Sequence, residues 1–277
     1  MYNWPDNTQL GDQNMLKVHH SIETLLLLII MTILSSIAAL IPLWGNGLLT
    51  VTLPLIILIS GKEMVPFERI KLSTLVVGRI LVMLTALYII PGSGLIKILV
   101  VLLYVNIMEA IISDFRKKSF FNVFSGLALI VTTHILFNSS WISPVVSEGG
   151  KFVHIGYYLG SGHALIPWVI AYTIWNWNFV IYEFPPSVGR FHIALLGVPL
   201  LFSLVTLNPG FWLLLRGASL TLGGVIQIGF KKRLISLLDN HYYTGLIEKV
   251  KGRTVQIILM ITSVALCAIS FILNLSA

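Results

Sequence analysis

The stretch from residue 95 to residue 113, LIKILVVLLYVNIMEAIIS, decides the fold of this chain, because it is apolar enough and long enough to cross a lipid bilayer. A transmembrane helix needs about 20 consecutive apolar residues, since the hydrocarbon core is about 30 Å thick. The same stretch contains Glu109. A charged side chain at membrane depth is costly unless it is paired or used. The sequence therefore predicts a membrane helix whose acidic residue has a role.

Similar apolar segments fill most of the chain and predict an all-α, polytopic transmembrane helical bundle with about nine spans. The second segment is short, and it is expected to form either a tilted span or a re-entrant piece. Turns rich in glycine, proline and asparagine separate several of the segments. The nine segments are residues 22–43, 47–60, 72–90, 95–113, 120–141, 163–182, 191–207, 210–229 and 255–275.

The composition is that of a chain whose solvent is lipid. Of the 277 residues, 56% are apolar and 10% are charged, and the mean hydropathy is +0.91; a soluble domain carries roughly 25% charged residues. The net charge of +7 does not indicate nucleic-acid binding, because the basic residues lie in short loops between apolar segments. The single cysteine, Cys267, excludes an intramolecular disulfide, and the sequence contains no metal-ligand spacing or cofactor loop. We therefore predict no metal and no cofactor.

The basic residues are divided very unevenly between the two sides of the predicted membrane. If the segments alternate in direction, 14 Lys and Arg residues fall on the side of the N-terminus and only Lys151 falls on the other. The positive-inside rule then places the N-terminus in the cytoplasm and the C-terminus outside. Residues 1–21 are predicted as a cytoplasmic N-terminal segment, followed by one transmembrane domain over 22–277. The basic cytoplasmic loop 231–254 is expected to be an amphipathic surface helix or a simple anchor.

Two charged residues in neighbouring segments predict a buried ion pair. At 1.5 Å per residue, Arg79 lies about 10 Å and Glu109 about 6 Å from the cytoplasmic end. The tight turn at residues 91–94 makes their helices antiparallel neighbours. Polar residues at similar depth extend the pair into a cluster open to the cytoplasm, unless the pair is only structural and the tryptophans form an aromatic belt. The members of this predicted cluster are Arg79, Asn106, Glu109, Asn122, Trp175 and Asn176.

A second group of polar residues is predicted toward the outer side, where His134, His163 and Arg216 fall. The histidines are candidates for proton relay or metal binding, although no two of them have a short ligand spacing. Arg216 lies about 9 Å into its segment by helical rise. It needs a counter-charge, a cage of carbonyl groups or an anionic ligand, because no acidic residue lies at its predicted depth.

Three strings carry a resemblance to a known family: NIMEAIISDF at 106–115, NVFSG at 122–126 and AYTIWNWNFVIY at 171–182. They resemble a mostly bacterial family of multipass membrane proteins that is classed as a domain of unknown function. The resemblance covers roughly residues 100–225. It implies a helical fold in the bacterial cytoplasmic (inner) membrane and no known activity, and it coincides with the residues selected by depth.

Three functions remain open on this sequence. The first is a transporter or channel, with the polar cluster and the Arg216 group at two ends of a path. The second is a membrane enzyme acting on a lipid or isoprenoid-like substrate, with Glu109 as acid or base and Tyr172 and Trp175 lining the pocket. The third is a scaffold or assembly factor. The predicted partners are the lipid bilayer and a small molecule or ion, with a homo-oligomer as an open alternative and no nucleic acid.

The uneven charge distribution generates a test of the topology. A reporter fused after Arg233 should be active in the cytoplasm, and one fused after Ala277 should be active outside, because an odd number of spans separates the N-terminus from the C-terminus. A cytoplasmic signal at both positions would remove one span from the predicted nine.

Overall fold

The computed structural model describes residues 7–60, 64, 66–137, 145–154, 164–239 and 241–276. In these ranges the protein is built of α-helices and one short β-hairpin, which agrees with the predicted all-α class. The helices are α1 (Asn7–Leu40), α2 (Trp44–Asn46), α3 (Leu53–Ser60), α4 (Pro66–Ala86), α5 (Gly92–Arg116), α6 (Phe120–Phe137), α7 (Leu165–Glu183), α8 (Pro186–Thr206), α9 (Trp212–Gly229), α10 (Lys231–Leu238), α11 (His241–Val250) and α12 (Arg253–Leu275), and the strands are β1 (Val145–Val146) and β2 (Phe152–His154).

Several of these helices suit a membrane, although the count of nine spans stays a prediction. Among the described residues, two shorter apolar helices, Trp44–Ser60 and Phe120–Thr133, accompany the long ones. Helix α4 carries four charged residues, and α7 carries two asparagines and a glutamate; neither is among the helices whose length and composition suit a span. Five helices are long and apolar enough to cross: Ile22–Leu40, Gly92–Arg116, Pro186–Thr206, Pro209–Gly229 and Arg253–Leu275.

The outer helices of the bundle present apolar surface where a soluble protein would present polar groups. Only 22% of the apolar window is buried in α1 and in α12, against 61% in α8 and α9. Exposed leucine, isoleucine, valine and phenylalanine side chains run along α1, α5, α6 and α12. Contiguous apolar surface of this extent marks contact with lipid or with another protein. The central helices α7, α8 and α9 therefore form the interior, and the others surround it.

Two parts of the chain differ from the sequence expectation. Helix α1 begins at Asn7, well before the predicted start at residue 22, because no proline after Pro5 prevents the helix from extending. The predicted surface helix at 231–254 is instead two short helices, α10 and α11. Leu234 and Ile247 are buried against the bundle, whereas Leu237 and Leu246 are exposed. Only part of the apolar surface of these helices therefore packs on protein.

A hairpin that the sequence analysis did not foresee connects α6 to α7. Strands β1 and β2 pair antiparallel, and the turn between them places Gly149 and Gly150 at φ +80° and +73°. Only glycine adopts such angles without strain. Phe152 is buried in the main apolar cluster, so the hairpin covers one end of the bundle.

The second predicted segment is a helix with an irregular start. Residues Gly47–Thr52 form π-helical turns between α2 and α3. These turns place Asn46 and Thr50 together, so that the Thr50 hydroxyl donates to the Asn46 side-chain oxygen at 2.6 Å. Single π-turns are frequent at functional sites and at places where a side chain inserts into a helix. Here they bring two polar side chains to the same buried point.

Candidate functional site

The predicted Arg79–Glu109 ion pair is wrong. Glu109 instead pairs with Lys71, with an N–O distance of 3.1 Å, and its side chain is 43% exposed. Arg79 is only 3% exposed and bonds to other groups. Helical depth alone suggested the pair, because it fixes the height of a residue along a helix and not the direction in which its side chain points.

Arg79 lies in a cage of neutral oxygen atoms. Its Nε donates to the side-chain oxygen of Asn46 at 2.5 Å and to the Thr50 hydroxyl at 3.2 Å. Its two terminal nitrogens donate to the carbonyl oxygens of Leu214, at 3.2 Å, and Ala38, at 3.1 Å. Since lipid offers no acceptor, these bonds replace the hydration of the guanidinium group. Arg79 thereby ties α1, the π-helical segment, α4 and α9 together.

Two local features of the sequence make this cage fit. Pro42 has no N–H group, so it cannot donate to Ala38, four residues earlier, and that carbonyl oxygen stays available for Arg79. Gly217 lets the arginine approach α9 closely, because a Cβ atom there would lie 3.1 Å from Nη1 of Arg79. The charge of Arg79 is thus solvated by the protein itself, which favours a structural role.

Arg216 is buried under different conditions, at the centre of the bundle and 4% exposed. Its Nε donates to the Tyr172 hydroxyl at 3.5 Å, and its Nη2 donates to the side-chain oxygen of Asn176 at 3.4 Å. Both distances are long, since the usual N–H···O separation is about 2.9 Å. Nη1 of Arg216 has no partner among the described residues. The guanidinium group is therefore poorly satisfied.

An aromatic cluster surrounds this arginine. The ring of Tyr172 lies 5.8 Å from the guanidinium carbon of Arg216. The same ring packs edge-on against Trp212 at 5.0 Å between centroids and lies 5.8 Å from Trp175. Trp168 completes the cluster, stacked on Tyr172 at 5.5 Å. The indole nitrogen of Trp212 is buried and lacks a partner in the described part of the chain, so a second donor beside Arg216 is unused.

The sequence predicted Asn176 in the cluster open to the cytoplasm and Arg216 in the group toward the outer side, and that division is wrong. Asn176 lies eleven residues after Leu165, about 16 Å along α7, which is near the middle of the helix. Arg216 lies in the second turn of α9, and its long side chain covers the difference in height. The structure therefore joins one member of each predicted group in one site.

A third polar group connects four helices without using a basic residue. Asn178 and Gln256 exchange two hydrogen bonds of 2.8 Å between their side-chain amides. Asn178 also donates to Asn122 at 3.0 Å, and Asn122 donates to Oδ2 of Asp114 at 2.7 Å. All four side chains are buried. This amide network ties α5, α6, α7 and α12 together.

The other predicted residues lie outside these groups. Asn106 is half-buried and makes no hydrogen bond to the described residues through its side chain. The side chains of His134 and His163 lie outside the described residues, so the structure does not address them. Among the described residues, no group of three His, Cys, Asp or Glu side chains could hold a metal ion.

Comparison with known proteins adds no relative. No protein-family model matches the chain, and no curated protein or solved structure is significantly similar to it. The resemblance to a bacterial membrane family stays a prediction, and the function must be argued from the site.

Several functional candidates were missed by the sequence reasoning. Asn46 falls in the turn before the short second segment and Thr50 inside that segment, and Asp114 was placed in neither predicted polar group. Gln256 drew no attention, because it lies in the first turn of a long apolar segment. Its residue type could have identified it, because an amide side chain inside an apolar segment needs a buried hydrogen-bond partner.

The cage predicts a large effect of Arg79 on stability. Arg79→Gln should lower the melting temperature in detergent, because at least two buried oxygen atoms lose their donor, at about 0.6–2 kcal/mol each. Arg79→Lys should also destabilise, since one ammonium group cannot reach acceptors on three sides. A melting temperature within error of the wild-type value in both variants would show that the cage is not needed.

The amide network predicts coupling between α7 and α12. Asn178→Ala and Gln256→Ala should each destabilise, and the double variant should cost less than their sum by about 0.5–2 kcal/mol, because the second change removes an already unpaired amide. Thermal unfolding of all four proteins measures the coupling. Asn106→Ala is the matched control, and its effect should stay within about 0.5 kcal/mol. Strict additivity would argue against the network.

Proposed function

We propose that this chain is a membrane transport protein that binds an organic anion at Arg216. The observation that carries the proposal is the contrast between Arg216 and the two other buried arginines, Arg79 and Arg190. Arg190 is ion-paired with Glu23 at 2.9 Å. Arg79 has four oxygen partners, whereas Arg216 has two long bonds and one unused nitrogen. A protein that needed Arg216 only for packing would have satisfied it in the same way.

The charge balance around Arg216 supports an anionic ligand. Unlike Arg190, which is paired with Glu23, neither Arg79 nor Arg216 has a hydrogen-bonded carboxylate among the described residues. Both groups also lie close to α9, since Arg79 donates to the carbonyl oxygen of Leu214 and approaches Gly217. Two cations in a medium of low dielectric create a strong positive potential. An anion that bound between the helices would replace the missing counter-charge.

The walls of the site indicate the rest of the ligand. The ring of Tyr172 lies beside the cation, and Trp212 and Trp175 pack against that ring. Binding sites for small molecules are mostly apolar, with a few polar groups that fix orientation. The arginine fork matches the two oxygens of a carboxylate or phosphate group. The site therefore suits an amphiphilic anion, with its charged end at Arg216 and an apolar or aromatic part against the rings.

Transport is favoured over the two other functions. The enzyme hypothesis used Glu109 as acid or base beside Trp175, but Glu109 is partly exposed and paired with Lys71. The scaffold hypothesis accounts for Arg79 and for the amide network, whose polar groups bind one another. It does not account for Arg216, because an unsatisfied cation destabilises a scaffold and contributes nothing to it.

Arg216→Gln provides the test, with benzoate, inorganic phosphate and chloride as probes. Removing a poorly satisfied buried cation should raise the melting temperature of the ligand-free protein, whereas Arg79→Gln lowers it. In wild-type protein at least one probe, with benzoate expected to be the strongest, should raise the melting temperature. In Arg216→Gln that increase should disappear, and uptake of labelled benzoate into proteoliposomes should fall about tenfold or more.

Two controls separate binding from general effects of charge. Lys97→Gln removes an exposed cation of α5 and should leave both the thermal shift and the uptake unchanged. Trp212→Phe keeps the ring and removes the N–H donor, so it should weaken binding without loss of the fold. If no probe stabilises the wild-type protein, or if Arg216→Gln still responds, the anion site is refuted. Binding without uptake would refute transport alone.

A further inference from the structure

Asp114 is a buried carboxyl group that the anion site does not use. It lies near the end of α5 and is 1% exposed. Its Oδ2 accepts the hydrogen bond from Asn122, and its Oδ1 is buried without a partner among the described residues. A carboxylate stays ionised in such surroundings when a cation or two to three donors compensate it. Asp114 has a single donor, and that donor is neutral.

The cation whose charge acts on Asp114, and the next lysine on the neighbouring α11–α12 connection, both form their hydrogen bonds with other groups. Lys117, on the same helix, binds Glu183 of α7 at 2.9 Å and the carbonyl oxygen of Tyr182 at 3.3 Å. Lys251, before α12, binds Glu248 at 3.1 Å. Within the described residues, the charged or titratable groups that interact electrostatically with Asp114 are Lys117 on α5 and Tyr182 and Glu183 on α7. Residues 120–133 of α6 include no charged side chain.

The amide network links Asp114 to the anion site through one helix. Asn122 donates both to Asp114 and, at 3.4 Å, to the backbone carbonyl of Trp175. Trp175 belongs to the aromatic cluster, and the next residue, Asn176, accepts the hydrogen bond from Arg216. A change in the charge of Asp114 therefore reaches the arginine through residues that are adjacent on α7.

We propose that Asp114 is a proton-binding site coupled to the anion site, so that one proton accompanies each anion. The proton comes from bulk water and adds to a carboxylate oxygen of Asp114, while the anion meets the guanidinium group of Arg216. The pair of events adds no net charge to the interior. The coupling rests on the transport function proposed above, whereas proton binding by Asp114 stands on its own geometry.

Linkage fixes the direction of the effect. An ionised Asp114 repels the incoming anion, so binding of benzoate takes up a proton and is tighter at low pH. When one proton is taken up per anion, the dissociation constant rises about tenfold for each pH unit above the titration of Asp114. Asp114→Asn mimics the protonated acid in shape and charge. This variant should bind benzoate with the low-pH affinity of the wild-type protein at every pH.

Infrared difference spectroscopy tests proton binding without any ligand. As the pH is lowered, the wild-type protein should show the carbonyl stretch of one buried carboxylic acid in addition to the stretches of the exposed carboxyl groups. This additional signal should be missing from Asp114→Asn. Glu183→Gln is the matched control, since Glu183 is a nearby carboxylate that already has Ser113 and Lys117 as partners. This variant should keep the signal. An additional signal that survives in Asp114→Asn, or one that is absent from the wild-type protein, overturns the proton site.

Benzoate titrations at several pH values then test the coupling. Wild-type protein and Glu183→Gln should show the pH-dependent affinity, and Asp114→Asn should show none. If Asp114→Asn binds benzoate with the wild-type pH dependence, the coupling is overturned and the anion site stands. If no variant binds benzoate, phosphate or chloride, the anion site fails together with the coupling, and the infrared result alone decides whether Asp114 binds a proton.

Discussion

The hydrocarbon core of a bilayer cannot accept a hydrogen bond, and this constraint governs how most buried polar side chains of the bundle are placed. Arg79 shows its strength, because one guanidinium group draws acceptors from three other parts of the chain. The break after α1 at Pro42, the π-helical turns and Gly217 in α9 all allow the guanidinium group of Arg79 to reach its acceptors. In a water-exposed protein these irregularities would have little to stabilise them. Here they position the framework on which α8 and α9 pack.

The buried polar groups of the bundle fall into three sets, which differ in how fully their hydrogen bonds are formed. Around Arg79 the protein supplies the missing hydration. In the network of Asn122, Asn178 and Gln256 the amides satisfy one another. At Arg216 and Asp114 the protein leaves nitrogen and oxygen atoms without partners in the described residues. Strain and unsatisfied groups persist in folded proteins mainly where function uses them. This gradation, more than the presence of charges, distinguishes a candidate site from a structural contact.

The sequence predicted much of the fold, and only part of the site. Apolar length located the helices well, as the segment 95–113 lies inside Gly92–Arg116 and the segment 210–229 matches the end of α9. Polar and aromatic residues inside these segments were also singled out from the sequence, and six of them are buried: Arg79, Asn122, Tyr172, Trp175, Asn176 and Arg216. Helical rise could not supply their partners, because rotation about the axis decides which faces meet. Arg216 was expected to need a carbonyl cage or an anion, and the cage was found around Arg79.

The reciprocal amide bonds between Asn178 and Gln256 have a consequence for biogenesis. Helix α12 is synthesised after α5, α6 and α7, so Asn178 and Asn122 enter the membrane before their last partner exists. Until α12 arrives, these amides have to be shielded by water, by the translocation machinery or by temporary contacts. The amide network is therefore complete only when α12 has packed against these three helices. The network can thus be completed only after Gln256, its last member, has been synthesised.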